Sequence, residues 1–477
     1  TLYSLQNLSV AYNQLTELDL SALSNVTKVQ CEYNMLTTLD VSHFVLLQEV
    51  ICGNNPPLTS LFMKNGQNSF FTMGFFDNPN LTYICVNENA VSGIQDNLNF
   101  FNMPYCNVNS YCSFTPGGLF YSLSGANKLD TNSNGCDDTD IILPNLKFNI
   151  TNGTQTGSFI TNASGAYSIP VQAGTHTVTP VIENPTYFNI SPASTTVTFP
   201  QTTSPFTQNF CVTPNGVHQD LEVTIIPMDA AIPGFDAHYK IVYRNIGNVN
   251  IAMGSMAFDY DDATLDYVSS APTTEILPLG NLFWTFLNLQ PFETRTIDVV
   301  FNLNSPTETP ALNSGNLLTF VANVNTSVGE DTNPVDNVTT LQQLVVNSYD
   351  PNDKTCLEGT SITPDMIGKY VHYMIRFENT GTFPAQNIVV KDMIDESKFD
   401  VASLIPLNAS HNYVTRISGN KVEFIFEGIN LPFEDATNDG YVVFKIKTLP
   451  TLALGDSFSN SASIYFDYNF PIVTDPA

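Results

Sequence analysis

Positive charge is scarce in this chain. Sixteen Lys and Arg stand against 45 Asp and Glu, a formal net charge of −29. Nucleic acids and anionic membrane surfaces need a basic footprint, so neither is an expected partner. Tryptophan is nearly absent, with Trp284 alone. A sugar-cleaving cleft pairs two carboxylates and commonly lines its walls with aromatic rings, so one tryptophan argues against that chemistry. No run of about 20 apolar residues occurs, which excludes a membrane-spanning helix. None of the eight cysteines forms a C-x-x-C pair, which argues against a zinc ribbon or a thioredoxin-type site. Also missing are the G-x-S-x-G nucleophile elbow, the P-loop, H-E-x-x-H and a G-x-G-x-x-G between strand and helix. A non-enzymatic chain is expected.

What remains is plentiful Thr, Asn, Ser, Val and Phe, punctuated by Gly and Pro. That is the composition of a β-rich, turn-rich protein. The length of 477 residues suggests three or four domains. Cysteines in the loops of an acidic β protein fit an oxidising, extracellular or cell-surface setting. Thr1-Leu2-Tyr3 carries no signal-peptide pattern and the chain opens inside a repeat, so residues before it are expected.

The repeat has a period of 21. Leu5, Val26 and Leu47 are equally spaced, and so are Asn13, Asn34 and Asn55. The frame L-x-x-L-x-L-x-x-N-x-L is written Leu5-Leu8-Val10-Asn13-Leu15 and Val26-Val29-Cys31-Asn34-Leu36, with a looser copy at Phe70-Met73-Phe75-Asn78-Leu81. This resembles the leucine-rich repeat family. One coil cannot bury its own apolar face, but stacked coils share a core, and the Asn satisfies backbone groups at the turn. Cys31 and Cys52 fall on inward positions and are expected as buried thiols. Outward positions form the columns Ser9, Gln30, Ile51, Gly74 and Tyr12, Tyr33, Asn54, Asp77. The resemblance implies a protein or glycan ligand on this concave face, through Ser9, Tyr12, Gln30, Tyr33, Ile51, Asn54 and Asp77. Residues 87–113 look like a cap, in which Cys85 can pair with Cys106 or Cys112; Cys85–Cys112 is the expected bridge.

From Phe114 the repeat ends and short strand-like runs follow. The arrangement G-x-x-x-x-D-x-N-x-N-G-x-x-D, then G-S-F-x-T-x-x-S-G-A-Y, resembles the SdrD-B-like and prealbumin-like sandwiches of bacterial surface proteins. Alternating oxygen ligands around a Gly turn suit Ca²⁺. Asp130, Asn132, Asn134, Cys136 (through its carbonyl), Asp138 and Asp140 are the expected ligands of a structural calcium. Ile141 stands where an EF-hand needs Glu, and the flanks read as strands, so an EF-hand is excluded. Cys136 is expected to bridge to Cys211.

The last two segments are copies. HYKIVYRNIG (238–247) matches HYMIRFENTG (372–381) at an offset of 134. Period-two alternation marks half-buried strands, and Asn-x-Gly reads as a turn with left-handed backbone. His238 and His372 open equivalent strands with no Asp or Cys partner in sequence reach, and are expected to be structural. In the second copy SYDPNDK, RFENTGTFPAQNIVVKDMID and ASIYFDYNFPIVTD resemble the DUF11-like conserved-repeat sandwich of Bacteroidota proteins exported by the type IX secretion system. The resemblance implies contact with that machinery through a C-terminal sorting signal beyond Ala477. Asp350, Asn352 and Asp353 around Pro351 read as a rigid turn.

The expected architecture is mainly β. A short leucine-rich-repeat solenoid (1–113) leads into three β-sandwich (Ig-like/prealbumin-like) domains in tandem, at 114–215, 216–346 and 347–477. The expected function is a secreted or surface adhesin that binds a partner through its solenoid. The alternative is a stalk or passenger whose effector region lies elsewhere in the polypeptide.

Overall fold

Leu8, Val29, Val50 and Met73 stand side by side in register at the centres of four three-residue strands, Asn7–Ser9, Lys28–Gln30, Glu49–Ile51 and Thr72–Gly74. The computed structural model describes residues 4–67, 72–275, 279–347 and 350–477. Phe70 of the repeat frame, Ser348 and Tyr349 of the SYDPNDK motif and Thr1–Tyr3 lie outside them. These strands pair in parallel. A second parallel ladder joins Thr38–Asp40, Ser60–Phe62, Tyr83–Cys85 and Asn107–Asn109, aligning Leu39, Leu61, Ile84 and Val108. Strands this short are stable only because the two ladders share one apolar core. The helix Val91–Phe100 closes the stack with Ile94 and Leu98.

The repeated asparagines do the backbone's work at the turns. Asn55 is fully buried; its Oδ1 accepts from the Leu36 amide at 3.1 Å, and its Nδ2 donates to the Cys31 and Cys52 carbonyls at 3.1 and 3.0 Å. Asn34 and Asn78 repeat the pattern in neighbouring coils. The residue before each of these asparagines, and before Asn13, is left-handed: Tyr12, Tyr33 and Asn54 have φ of 56° and Asp77 has 62°. Cys31 and Cys52 are buried free thiols, and burial pushes Cys31 up to about 12.

The rest of the chain is sandwich, antiparallel except where Phe206–Thr207 and Phe210–Pro214 pair in parallel with Tyr121–Leu129. In 114–215, Tyr121–Leu129 gathers Ile141–Ile142, Ala166–Val171, Phe206–Thr207 and Phe210–Pro214 around it. The facing sheet runs Thr195–Phe199, Gly174–Val181, Lys147–Thr151, Thr156–Ile160. Leu123, Phe148, Val178 and Phe210 fill the space between. In 216–346, two four-stranded sheets enclose Tyr239, Phe258, Phe301 and Phe320. The last segment packs a four-stranded sheet against strands of a longer sheet around Tyr373, Phe377, Phe424 and Phe444. Trp284 and Phe424 both lie in these cores.

The Asn-x-Gly turns depart from expectation. Gly247 and Gly381 are not left-handed. Instead Asn245 Oδ1 accepts from the Gly247 amide at 3.0 Å and Asn379 Oδ1 from the Gly381 amide at 3.1 Å. Glycine is required at 247 because a Cβ there would stand 2.3 Å from the His218 carbonyl oxygen.

The sandwiches follow one another in sequence but fold back on one another in space. Thr156–Ile160 pairs antiparallel with Val414–Ser418, placing Ser158 opposite Ile417, so one nine-stranded sheet runs through the second and last units. Asn107 Nδ2 donates to the Tyr468 and Asn469 carbonyls at 2.9 and 2.8 Å, and the Tyr111 hydroxyl donates to Glu423 at 2.8 Å, joining the first unit to the last. Met374, Leu407 and Val443 of the last unit belong to the third unit's core. A free-standing stalk of beads does not describe this arrangement, because edge strands and apolar faces that would meet water are covered by neighbouring units. Among the described residues no helix is long and apolar enough to cross a membrane.

Candidate functional site

The outward column Ser9, Gln30, Ile51 and Gly74 forms as spaced in the sequence, each residue opposite the next. Lys28 and Glu49 pair across it at 2.7 Å. Beside it, the left-handed turns project Tyr12 and Tyr33 into solvent. The rings stack with centroids 4.4 Å apart and planes 10° from parallel, yet Tyr12 is 73% and Tyr33 46% exposed. Asn54 and Asp77 continue the column. The sequence reading missed Phe76, Phe100 and Phe101. They form an exposed aromatic cluster, with Phe76 and Phe101 centroids 4.7 Å apart, because the helix end meets the last turn of the ladder.

The loop 130–140 is built of Asx-type turns. Both Asp130 oxygens accept backbone amides, from Ser133 at 2.6 Å and Gly135 at 2.8 Å. Asn132 Oδ1 accepts the Asn134 amide, and Asp140 Oδ2 accepts the Asp137 amide at 2.7 Å. Asp138 is turned to solvent beside Lys128 Nζ at 3.2 Å. That ammonium also donates to the Asp137 carbonyl. Asx-type turns thus hold the carboxylates of the loop, and a lysine lies beside it. Cys136 ties the loop to Cys211 in the strand Phe210–Pro214, and Cys85 bridges to Cys112. Cys106 and Cys356 are free.

The two histidines each have a carboxylate partner. His238 Nδ1 lies 2.5 Å from Asp229 and His372 Nδ1 2.6 Å from Glu358, and each carboxylate also accepts its histidine's backbone amide. The pairing repeats in both copies and ties a strand start to the preceding segment. Asp353 holds Arg376 at 2.7 Å and Asn352 accepts the Glu378 amide, so the turn around Pro351 is an internal clamp.

Residues able to hold a metal converge elsewhere. Asp220, Asp331 and Asp336 each place a ligand oxygen within 4.8 Å of the others. Asp220 precedes the strand Leu221–Pro227; Asp331 and Asp336 lie in the loop between Leu317–Thr326 and Val338–Leu344. A bridge between Gln219 and Asp331 brings the two stretches together. The run D331-T-N-P-V-D336-N was the available sequence signal, but Asp220 is remote in the chain. Burial, and then the nearby Asp331, Glu222 and Glu183, push Asp220 up to about 7 against a lowering bond from Tyr187. Burial and Asp220 push Asp336 up to about 8.

A cavity of about 330 Å³ opens where three units meet, lined in part by Lys147, Glu183, Arg244, Tyr370, Asp400 and Lys447. Its Glu183 is bound to Arg244 and Lys445.

Comparison with curated proteins finds no match. Among solved structures, the chain is similar in part to a CARDB domain from Pyrococcus furiosus in complex with di-metal ions, at 18% identity over 28% of this chain and 99% of that one, with a TM-score of 0.21. It is similar to a type II cohesin dyad of a scaffoldin from Acetivibrio cellulolyticus, at 13% identity over 52% and 94%, with a TM-score of 0.19. It is also similar to the major pilin subunit of Bacillus cereus, at 11% identity over 75% and 94%, with a TM-score of 0.20. At these scores the likeness assigns neither function nor ligand. Residues 350–477, which form the last sandwich, match the family model described as a domain of unknown function, DUF7619.

Proposed function

We propose that this chain is a non-enzymatic, extracellular or cell-surface binding protein whose parallel ladders act as a leucine-rich solenoid. Its partner is a protein or glycan engaged along the column of Tyr12 and Tyr33. One observation carries this reading. Both tyrosines occupy left-handed turns that Asn and Asp fill in the following coils. A bulky residue in that backbone region costs about 1–3 kcal/mol, and such strain concentrates at binding sites. Neither ring recovers the cost by burial. Stacked, exposed tyrosines offer a rigid platform to a sugar face or an apolar side chain. The two disulfides support an oxidising compartment. Export by a type IX system of a Bacteroidota cell belongs to the same proposal and rests on the three motifs of the last unit.

The test compares the parent with a Tyr12→Glu/Tyr33→Glu variant on a glycan array and on epithelial cell monolayers. The variant should keep the parent's melting temperature and lose binding at least tenfold. Equal binding by the two proteins, or no binding by the parent to either probe, sinks the reading.

A further inference from the structure

We propose that Asp220, Asp331 and Asp336 form a calcium site that clamps the second unit to the third. The three carboxylates converge within 4.8 Å. A second observation points to a ligand. Asp220 is only 1% exposed, and its Oδ1 has no donor; Asp336 Oδ1 is buried without a donor as well. Buried carboxylate oxygens left unpaired carry the full cost of lost hydration. Among the described residues, no Lys, Arg or His nitrogen forms a salt bridge with any of the three.

The remaining oxygens are held in place. The Tyr187 hydroxyl donates to Asp220 Oδ2 at 3.0 Å, with Asn184 Nδ2 at 3.5 Å. The Leu221 amide donates to Asp331 Oδ2 and the Asn333 amide to Asp331 Oδ1, both at 2.9 Å. Asn333 Nδ2 donates to Asp336 Oδ2 at 2.6 Å. These bonds orient the carboxylates and leave Asp220 Oδ1 and Asp336 Oδ1 for a cation. Asn337, the next residue, has a buried Oδ1 without a donor too.

The donor set names the ion. It is all oxygen and rich in carboxylate, with no thiolate or imidazole, so it suits a hard cation. An irregular loop supplies two of the three acids, which fits the flexible, high-coordination shell of Ca²⁺ better than the strict octahedron of Mg²⁺. The consequence is mechanical. Tyr187 and Asn184 belong to the second unit, and Asn248 of the third donates to the Tyr187 carbonyl at 2.8 Å. A cation on Asp220 therefore stiffens the joint between these units.

The experiment titrates the intact, EDTA-treated chain with CaCl₂ by calorimetry, and with TbCl₃ by tyrosine-sensitised emission. One Ca²⁺ per chain should bind, raise the melting temperature by about 3 °C or more, and displace terbium. Asp336→Asn and Asp220→Asn should each weaken Ca²⁺ at least tenfold, while Asp138→Asn should change nothing. Tyr187→Phe removes a positioning bond but no ligand, so it should weaken Ca²⁺ less than the aspartate variants do and lose most of the terbium emission, a readout that survives if the aspartate variants misfold. The proposal is overturned if the parent binds no Ca²⁺ at millimolar concentration. It is equally overturned if Asp138→Asn abolishes binding, or if Asp336→Asn binds as the parent does.

Discussion

Replacing Lys445 by Met should unlock the junction of three units. Lys445 is buried against Glu183 Oε1 at 2.6 Å and against Glu222 Oε1. Arg244 completes the square, 3.0 Å from Glu183 and 2.5 Å from Glu222. Two acids and two bases thus cancel away from water. Lys445→Met leaves two carboxylates facing one guanidinium, and an uncompensated buried charge of this kind costs about 3–5 kcal/mol. The electrostatics point the same way. Burial works against Glu222 ionising, but Arg244 and Lys445 outweigh it and hold it at about 2, below its ordinary value. A depressed carboxylate stabilises fully above its unfolded pKa and loses that stabilisation as pH falls through the folded value. The variant's deficit should therefore be large at pH 7 and shrink between pH 4.5 and 2. Urea unfolding followed by Trp284 fluorescence reads the core that the third unit shares with the last, since that core holds the one tryptophan. Lys445→Met/Glu222→Gln should recover part of the loss. A deficit under about 1 kcal/mol at pH 7, or one that persists unchanged at pH 2.5, refutes the reasoning.

Asn55→Ala should cost about 2–4 kcal/mol, because it strands the Leu36 amide and the Cys31 and Cys52 carbonyls inside the stack; hydrogen exchange should show the Leu36 amide losing protection, and retained protection contradicts the ladder's role. Gly157→Val should loosen the shared sheet without touching either core, since a Cβ there meets the Ile417 carbonyl oxygen at 3.0 Å. Small-angle scattering should show a larger radius of gyration, and an unchanged profile counts against a sheet join that depends on glycine.

Local rules were legible in the sequence and long-range ones were not. The 21-residue spacing reappears as the register of Leu8, Val29 and Val50, because a constant period leaves one way to align the coils. The pairing of Cys136 with Cys211 was readable as loop to strand within one segment. The pattern around Asp130 fits both an ion cage and amide-held turns, and spacing alone did not show the Asx-type turns or the contact of Lys128 with Asp138. Asp229 and Glu358 escaped notice because a strand reversal, not a fixed spacing, brings them to His238 and His372. Asp220 met Asp331 only through a backbone bridge. Nothing in the alternation of Thr156–Ile160 could name Val414–Ser418 as its neighbour, since backbone hydrogen bonds carry no side-chain signature.

That shared sheet imposes an order of events on the polypeptide as it is made. The strand Thr156–Ile160 is made well before its partner Val414–Ser418. Until then the second unit carries an open edge, which can recruit a foreign strand. The Thr-Gly-Ser opening of that strand is weakly apolar, and so suits a segment that must wait in water. Completion of the DUF7619-matching sandwich is then what covers this edge, so a chain interrupted within that sandwich would also leave the second sandwich exposed.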